Sequence, residues 1–172
     1  MIHLNFGSNL DSTHGTRYDN ISIAINLLID SKIKVKKISN FYETPSYPNN
    51  NFPKFLNVGL FIDYKNQYLT LLRAIKQIEK KLGRIRTKKN DPRVLDIDII
   101  DFKGEIKKTK ELILPHPKCH LRNFVLFPIL QIDPNWLHPI LKKNAQYLIN
   151  KLSQKSRIEI TRLQKNVNIK YD

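Results

Sequence analysis

Asp91-Pro92-Arg93-Val94-Leu95-Asp96-Ile97-Asp98-Ile99-Ile100 is the stretch on which the reading of this chain turns. Val94, Leu95 and the isoleucines make an apolar, β-prone run that reads as a buried strand. Residues two apart on a strand leave the same face, so Asp96 and Asp98 aim two carboxylates at one spot. Like charges held that close repel, and burying them without a counter-charge is costly. A divalent cation removes the cost, and hard carboxylate oxygens with no cysteine nearby suit Mg²⁺ better than zinc. Arg93 adds the cation expected beside bound phosphates. The competing reading is an exposed strand with its polar face in water, and the apolar density of Ile97, Ile99 and Ile100 argues against it.

Working outward from that strand, the chain alternates between two periodicities. Ile2 to Phe6 reads as a short strand ending in the turn-forming Gly7-Ser8-Asn9. Tyr18 to Ile29 has helical spacing at Ile21, Ala24, Ile25 and Leu28. Val35 to Glu43 and Phe55 to Tyr64 read as strands, separated by a loop with Pro45, Pro48 and Pro53. Asn66 to Leu82 is a helix whose apolar face runs through Leu71, Ile75 and Ile78, with Gly83 as its cap. Leu95 to Phe102 is then the fourth strand, and Lys103-Gly104 reads as a hairpin turn. The order is β-α-β-β-α-β, an α+β ferredoxin-like core with an antiparallel sheet and helices packed on it. A C-terminal extension follows, with helices at Arg122 to Ile132 and Ala145 to Leu152 and a strand at Ile158 to Thr161. Neither repeats nor a linker interrupt it, so residues 1–172 are expected to form one domain.

Composition narrows the function classes. At 172 residues and 41% hydrophobic, the chain has enough material for a real core. The lone Cys119 excludes an internal disulfide. The first residues lack the pattern of a signal peptide and no run approaches a membrane span, which implies a cytoplasmic protein without a membrane partner. The net charge of +15 invites a nucleic-acid reading. Yet the 22 Lys are scattered along the chain, and 17 Asn and 23 Ile point to AT-rich coding as much as to polyanion binding. The eight Arg are the more informative cations, because a guanidinium offers phosphate a planar fork. Arg84, Arg86, Arg93 and Arg122 fall in one central stretch near the paired carboxylates.

The topology alone gives no function. No aromatic RNA-recognition signature is present, and five glycines leave no room for a Gly-rich phosphate cradle. The segment from Lys80 to Arg93, with seven basic residues against Asp91 alone, is the substitute on offer; on composition it is equally a solvated loop. His116, Cys119 and His120 suggest zinc, but four ligands are not in view and Pro117 interrupts any helix. His3, His14 and His138 take no role.

Several motifs together resemble one family, the 6-hydroxymethyl-7,8-dihydropterin pyrophosphokinases of folate biosynthesis. They are Gly7-Ser8-Asn9-Leu10, Tyr42-Glu43-Thr44-Pro45, Phe55-Leu56-Asn57, Glu79 with Gly83-Arg84, Pro92-Arg93 leading to Asp96-Ile97-Asp98, Leu114-Pro115-His116-Pro117, and Arg122 with Phe124 and Pro128. They come in the family's order from residue 7 to about 134, and the last 35 or so residues add nothing. The resemblance implies transfer of pyrophosphate from ATP, the co-substrate, to the pterin hydroxymethyl group, with release of AMP. It further implies two Mg²⁺ held by Asp96 and Asp98, and a loop whose Arg84 and Arg93 close over the triphosphate. Thr44, Pro45, Phe55, Asn57 and Phe124 would take the pterin, a flat ring wanting stacking and directed hydrogen bonds. Glu79, Arg86, His116 and Arg122 would contact the nucleotide, with a local Glu79 salt bridge to Lys80 or Arg84 as the competing reading. Ordinary core packing competes likewise for Phe55 and Phe124. Partners are then small molecules, and a monomer acting alone is expected.

The chain departs from the family's pattern at Asn90-Asp91, where Trp-Gly is common, in a loop one residue shorter. Asp11 stands for a frequent Gly and Lys76 for Gln. Two alternatives therefore stay beside the enzyme reading: a basic nucleic-acid-binding module on the same topology, and a loop-impaired relic that binds pterin without turnover.

Overall fold

A computed structural model describes residues 1–47, 49–84 and 91–169. The core runs β1 (Ile2–Ser8), α1 (Arg17–Asp30), β2 (Lys34–Ile38), β3 (Tyr42–Thr44), β4 (Phe55–Asp63), α2 (Tyr68–Lys81) and β5 (Asp96–Phe102). A small ribbon of β6 (Lys107–Lys108) and β7 (Ile113–Leu114) follows. Then come a 3₁₀ turn at Cys119–Leu121, α3 (Asn123–Ile132), α4 (Ala145–Lys151), α5 (Gln154–Ile158) and β8 (Thr161–Arg162). The main sheet has the order β5-β1-β4-β3-β8, with β2 also on β4, and every pairing is antiparallel. This is the expected ferredoxin-like α+β arrangement, with β1 and β4 at its centre.

Alternation divides the sheet into two working faces. Leu4, Phe6, Leu56, Val58, Leu60, Ile97 and Ile99 bury against Ile21, Ile25 and Leu28 of α1 and Leu71, Ile75 and Ile78 of α2. Each such side chain contributes about 1.5–3 kcal/mol on leaving water. On the opposite face Gly59 receives α3 so closely that a Cβ there would stand 2.6 Å from Pro128 Cβ. A second cluster of Ile100, Val125, Leu126, Ile129, Trp136 and Leu148 seals α3 and α4 to that face.

The helix ends are written in local chemistry. Thr16 caps α1 and forms a reciprocal capping box with Asp19. Gly83, at φ +84°, ends α2: its N–H donates to Lys80 O at 3.1 Å, and the Arg84 N–H donates to Glu79 O at 3.0 Å. This double bond pattern is a Schellman motif, and it returns Arg84 to the side of Glu79.

Three expected elements differ. The single strand over Val35 to Glu43 is broken into β2 and β3, with a bulge between Val35 and Lys37. Ser39 Oγ accepts the Gly59 N–H at 2.9 Å, the Asn40 N–H donates to Gln131 Oε1 at 3.1 Å, and Phe41 turns into the core edge-on to Tyr18. Burying that ring outweighs keeping the ladder continuous. Lys103 and Gly104 do form a tight turn, both at positive φ, but no hairpin with β5. The strand that follows pairs with β7 instead, and the Ile100 carbonyl at the edge of β5 accepts the His116 N–H at 2.9 Å. The strand expected over Ile158 to Thr161 shrinks to β8, because Ser153 caps a helical turn that runs through Ile158. Among the described residues no helix is long and apolar enough to cross a membrane.

Candidate active site

Cross-strand register builds the site. Asp96 stands opposite Gly7 and Asp98 opposite Asn5. Across the other side of β1, Gly7 pairs with Asn57 and Asn5 with Gly59. Directly paired residues share a face, so Asp96, Gly7 and Asn57 form one row, and Asp98, Asn5 and Gly59 form the next. The carboxylate pair and the Asn57 amide, drawn from separate motifs, thus lie on the same face two strands apart. Gly7 keeps the middle of the row low: a Cβ there would reach within 3.5 Å of Asn57 Oδ1.

Around the carboxylates the arginines converge. Arg84 Nη2 lies 2.8 Å from Asp96 Oδ1, and Arg93 Nε lies 2.9 Å from Asp96 Oδ2. Arg84 also pairs with Glu79, whose Oε1 accepts the Ile97 N–H at 2.8 Å. The local salt bridge expected as a rival reading of Glu79 therefore exists, and it sits inside the site. Asp98 Oδ2 faces Arg122 Nη1 at 3.6 Å and His116 Nε2 at 3.9 Å. Burial, and then the neighbouring Asp96 charge, push the Asp98 carboxyl up to about 7. Burial also raises Glu79, with Arg84 opposing it. His116 is pushed down to about 4 by burial and by Arg122, so its ring is neutral at physiological pH. Its Nδ1 accepts the Lys118 N–H at 3.2 Å, and its Nε2 lies 3.4 Å from Arg122 Nη1 and 3.9 Å from Asp98 Oδ2.

A cleft of about 190 Å³ opens here, lined by Lys76, Glu79, Arg84, Asp96, Asp98 and His116 among others. A larger cavity of about 580 Å³ lies between α1, β2 and the C-terminal segment, but its lining holds no carboxylate and no histidine. The carboxylates and His116 gather at the smaller one.

The pterin candidates adjoin it. Asn57 Nδ2 donates to Thr44 Oγ1 at 3.2 Å, and both side chains are buried. The Arg93 guanidinium lies 5.0 Å over the Phe55 ring, and that of Arg122 lies 5.4 Å over Phe124. Both rings, like Pro45, are only half-buried, which is unlike the core aromatics Phe6 and Phe41. Arg86 and the rest of 85–90 lie outside the described residues.

Mg²⁺ fits the donor set. Beside the two carboxylates, Asn5 Oδ1 is buried without a hydrogen-bond partner directly opposite Asp98 in the register, so the oxygens on offer are all hard. His116 faces Asp98, whereas Cys119 and His120 group with His138, so the zinc set first suggested does not form as such.

Sequence reasoning passed over three residues. Asn5 gave no signal beyond its place on a strand. Asn9 is buried and ties three segments together: its Oδ1 accepts the Arg93 N–H at 2.7 Å, and its Nδ2 donates to Ser46 Oγ at 3.2 Å and Pro53 O at 3.1 Å. It stood in a quoted motif, which was the available signal. Arg17 bridges to Glu43 at 3.0 Å and to the Lys54 carbonyl, bracing β3 against the start of β4.

Comparison with known proteins meets this geometry from another side. The family model for 7,8-dihydro-6-hydroxymethylpterin-pyrophosphokinase (HPPK) matches residues 3–134. A protein of Aquifex aeolicus named 2-amino-4-hydroxy-6-hydroxymethyldihydropteridine pyrophosphokinase is 38% identical over 142 residues, covering 83% of this chain and 86% of that protein. Folic acid synthesis protein FOL1 of Dictyostelium discoideum is 38% identical over 141 residues, which cover 82% of this chain but 21% of that longer protein. In structure, HPPK-DHPS of Plasmodium falciparum shares the fold with a TM-score of 0.69 at 16% identity, over 94% of this chain and 47% of that one. On the strength of the matched motif span and the relatives' identity, the chain belongs to the 7,8-dihydro-6-hydroxymethylpterin-pyrophosphokinase family of enzymes.

Proposed function

We propose that this enzyme transfers the terminal pyrophosphoryl group of ATP to the hydroxymethyl oxygen of 6-hydroxymethyl-7,8-dihydropterin and releases AMP. The observation that carries the reading is the shared sheet face, on which the Asp96–Asp98 pair and the Asn57–Thr44 pair are separated only by Gly7 and Asn5. A ring bound at Asn57 would present its substituent toward the carboxylates, so acceptor and phosphates meet without crossing a barrier.

Each side chain has a task in that reaction. Asn57 and Thr44 read the amide-like edge of the pterin, with Pro45 at the rim and Phe55 and Phe124 against its faces. Asp96 and Asp98 would hold two Mg²⁺, which when bound supply positive charge to the phosphate oxygens. Arg84 and Arg93, already beside Asp96, are placed to turn their forks onto the triphosphate. His116 and Arg122 line the Asp98 side, where Arg122 adds a further cation; Glu79 holds Arg84 in place, and Arg86 belongs to the same nucleotide set. The protein aligns reactants and neutralises charge, which is what phosphoryl-type transfer requires. We take residues 1–172 as one cytoplasmic, monomeric domain acting on small molecules. Asn90-Asp91 in the loop bears on the rate of closure, while the chain keeps the two carboxylates Asp96 and Asp98 and the arginines Arg84 and Arg93.

The test is incubation of the pure protein with ATP, Mg²⁺ and the dihydropterin while AMP and ADP are resolved. AMP formed one-for-one with a diphosphorylated pterin is expected. ADP would mean single phosphoryl transfer, and binding of pterin without any nucleotide turnover would mean a relic.

A further inference from the structure

Cys119, His120 and His138 take no part in the proposed transfer, yet each offers a ligand atom and the three atoms lie within 4.8 Å of one another. Cys119 and His120 come from the 3₁₀ turn, and His138 comes from the connection between α3 and α4. Two further observations point to a ligand. His120 Nδ1 and His138 Nε2 are both buried and have no hydrogen-bond partner. His138 is only 3% exposed and Cys119 is fully buried. Folded chains leave few buried polar atoms unsatisfied, and two in one cluster beside the sole thiol call for a common partner. The imidazoles meet edge to face, with centroids 5.5 Å apart and planes at 87°, so both can direct a nitrogen at one point. Asp101, fixed by the Trp136 Nε1–H at 2.8 Å, adds a negative charge felt by both Cys119 and His138.

We propose that Cys119 Sγ, His120 Nδ1 and His138 Nε2 bind one Zn²⁺-class cation, with the fourth position left to water. One thiolate and two imidazoles form a borderline-soft set that zinc or cobalt fills and magnesium does not. Metal–ligand bonds of about 2.0–2.3 Å set ligand atoms roughly 3.3–3.6 Å apart, so the cluster closes by about 1 Å on binding. The half-buried His120, on its short turn, supplies that movement.

Two protons are accounted for. The Cys119 thiol proton is released to solvent as the S–metal bond forms. His138 Nδ1 accepts the N–H groups of Ile140 and Leu141, both at 3.2 Å, so the free ring carries its proton on Nε2. Coordination moves that proton to Nδ1 and opens those two bonds, and the segment that carries the exposed Ile140 and Leu141 shifts with it. The cation then ties the turn between His116 and Arg122 to the α3–α4 connection. It acts as a strut behind the active site and touches no substrate.

Chelator-stripped protein in Mg²⁺ buffer, titrated with Co²⁺, tests this. One equivalent of cobalt is expected, with a thiolate-to-cobalt charge-transfer band that only Cys119 can produce. That band should vanish in Cys119→Ser. Affinity should fall by roughly tenfold or more in His120→Gln and in His138→Gln. His120 is the least buried of the three, so His120→Gln keeps the test decisive if the buried variants misfold. In parallel, the Ile140 and Leu141 amide resonances should move with the same titration midpoint. Absence of the charge-transfer band in excess Co²⁺, or cobalt affinity unchanged in folded His120→Gln, overturns the site.

Discussion

Replacing Gly59 by Ala puts a methyl group 2.6 Å from Pro128 Cβ, with the Pro128 carbonyl carbon and Ile132 Cδ1 each 3.5 Å away. Carbon pairs rest at about 3.5–4.0 Å, so α3 must lift off β4 by roughly 1 Å. The proline ring cannot rotate aside, which removes the usual cheap relief. Overpacking of this kind costs about 1–3 kcal/mol. For a chain of this size that lowers Tm by roughly 2–4 °C per kcal/mol, hence about 2–12 °C in all. The same lift displaces Phe124, one turn before Pro128 on α3, and with it the ring that Arg122 covers. Misplacement by about 1 Å near reacting groups can cost on the order of a hundredfold, so KM for the pterin should rise with the fall in Tm. Thermal melts and steady-state kinetics of Gly59→Ala, Pro128→Gly and the double variant check this. The double variant should recover part of the loss, because the two sites couple directly. A Tm within about 1 °C of the parent, or strictly additive losses, would refute the reasoning.

Asp98→Asn should lower turnover by roughly a hundredfold or more, read as AMP formation, and near-normal turnover would sink the proposed metal role. The same variant should gain stability at alkaline pH. Asp98 has its folded pKa raised from 3.8 to about 7, so its charge disfavours folding fully above 7 and not at all below 3.8. The gain in Tm over the parent should therefore shrink as pH falls from about 7 to about 4, and a pH-independent difference would contradict it. Asn57→Ala removes the amide that donates to Thr44 and should weaken pterin binding by tenfold or more in calorimetry, corresponding to about 1.4 kcal/mol, with ATP affinity unchanged. Trp136→Phe deletes the Nε1–H held by the buried Asp101 carboxylate; a loss of about 1–3 kcal/mol in denaturant melts is expected, and no loss would mean that water replaces the donor.

How far the sequence could be read depended on whether one periodicity ruled a segment. Leu71, Ile75 and Ile78 repeat at helical spacing and Gly83 stops them, so α2 and its cap were legible within two residues. Asp96 and Asp98 flank Ile97 at strand spacing, so their common face was legible as well. What was not legible is register. Nothing local says that Asp98 pairs with Asn5, or that Gly59 lies under a proline, because both facts arise from strands distant in sequence. The break at Ser39 to Phe41 was hidden for a similar reason: only the depth of the core makes Phe41 turn inward. His138 carried no motif and became visible only when folding brought it to Cys119 and His120.

Both ends of the 84–93 segment terminate on one carboxylate: Arg84 holds Asp96 Oδ1 and Arg93 holds Asp96 Oδ2. In the proposed reaction the triphosphate claims those same arginines and the metal ions claim that same carboxylate. The two arrivals are thermodynamically linked. Either one alone strips a partner from Asp96 or crowds it with excess charge, whereas together they exchange partners and leave the local charge sum nearly unchanged. A site used in this way would resist free nucleotide and free metal separately and accept them as a pair, a form of cooperativity that comes from a shared ion pair and requires no second conformation of the fold.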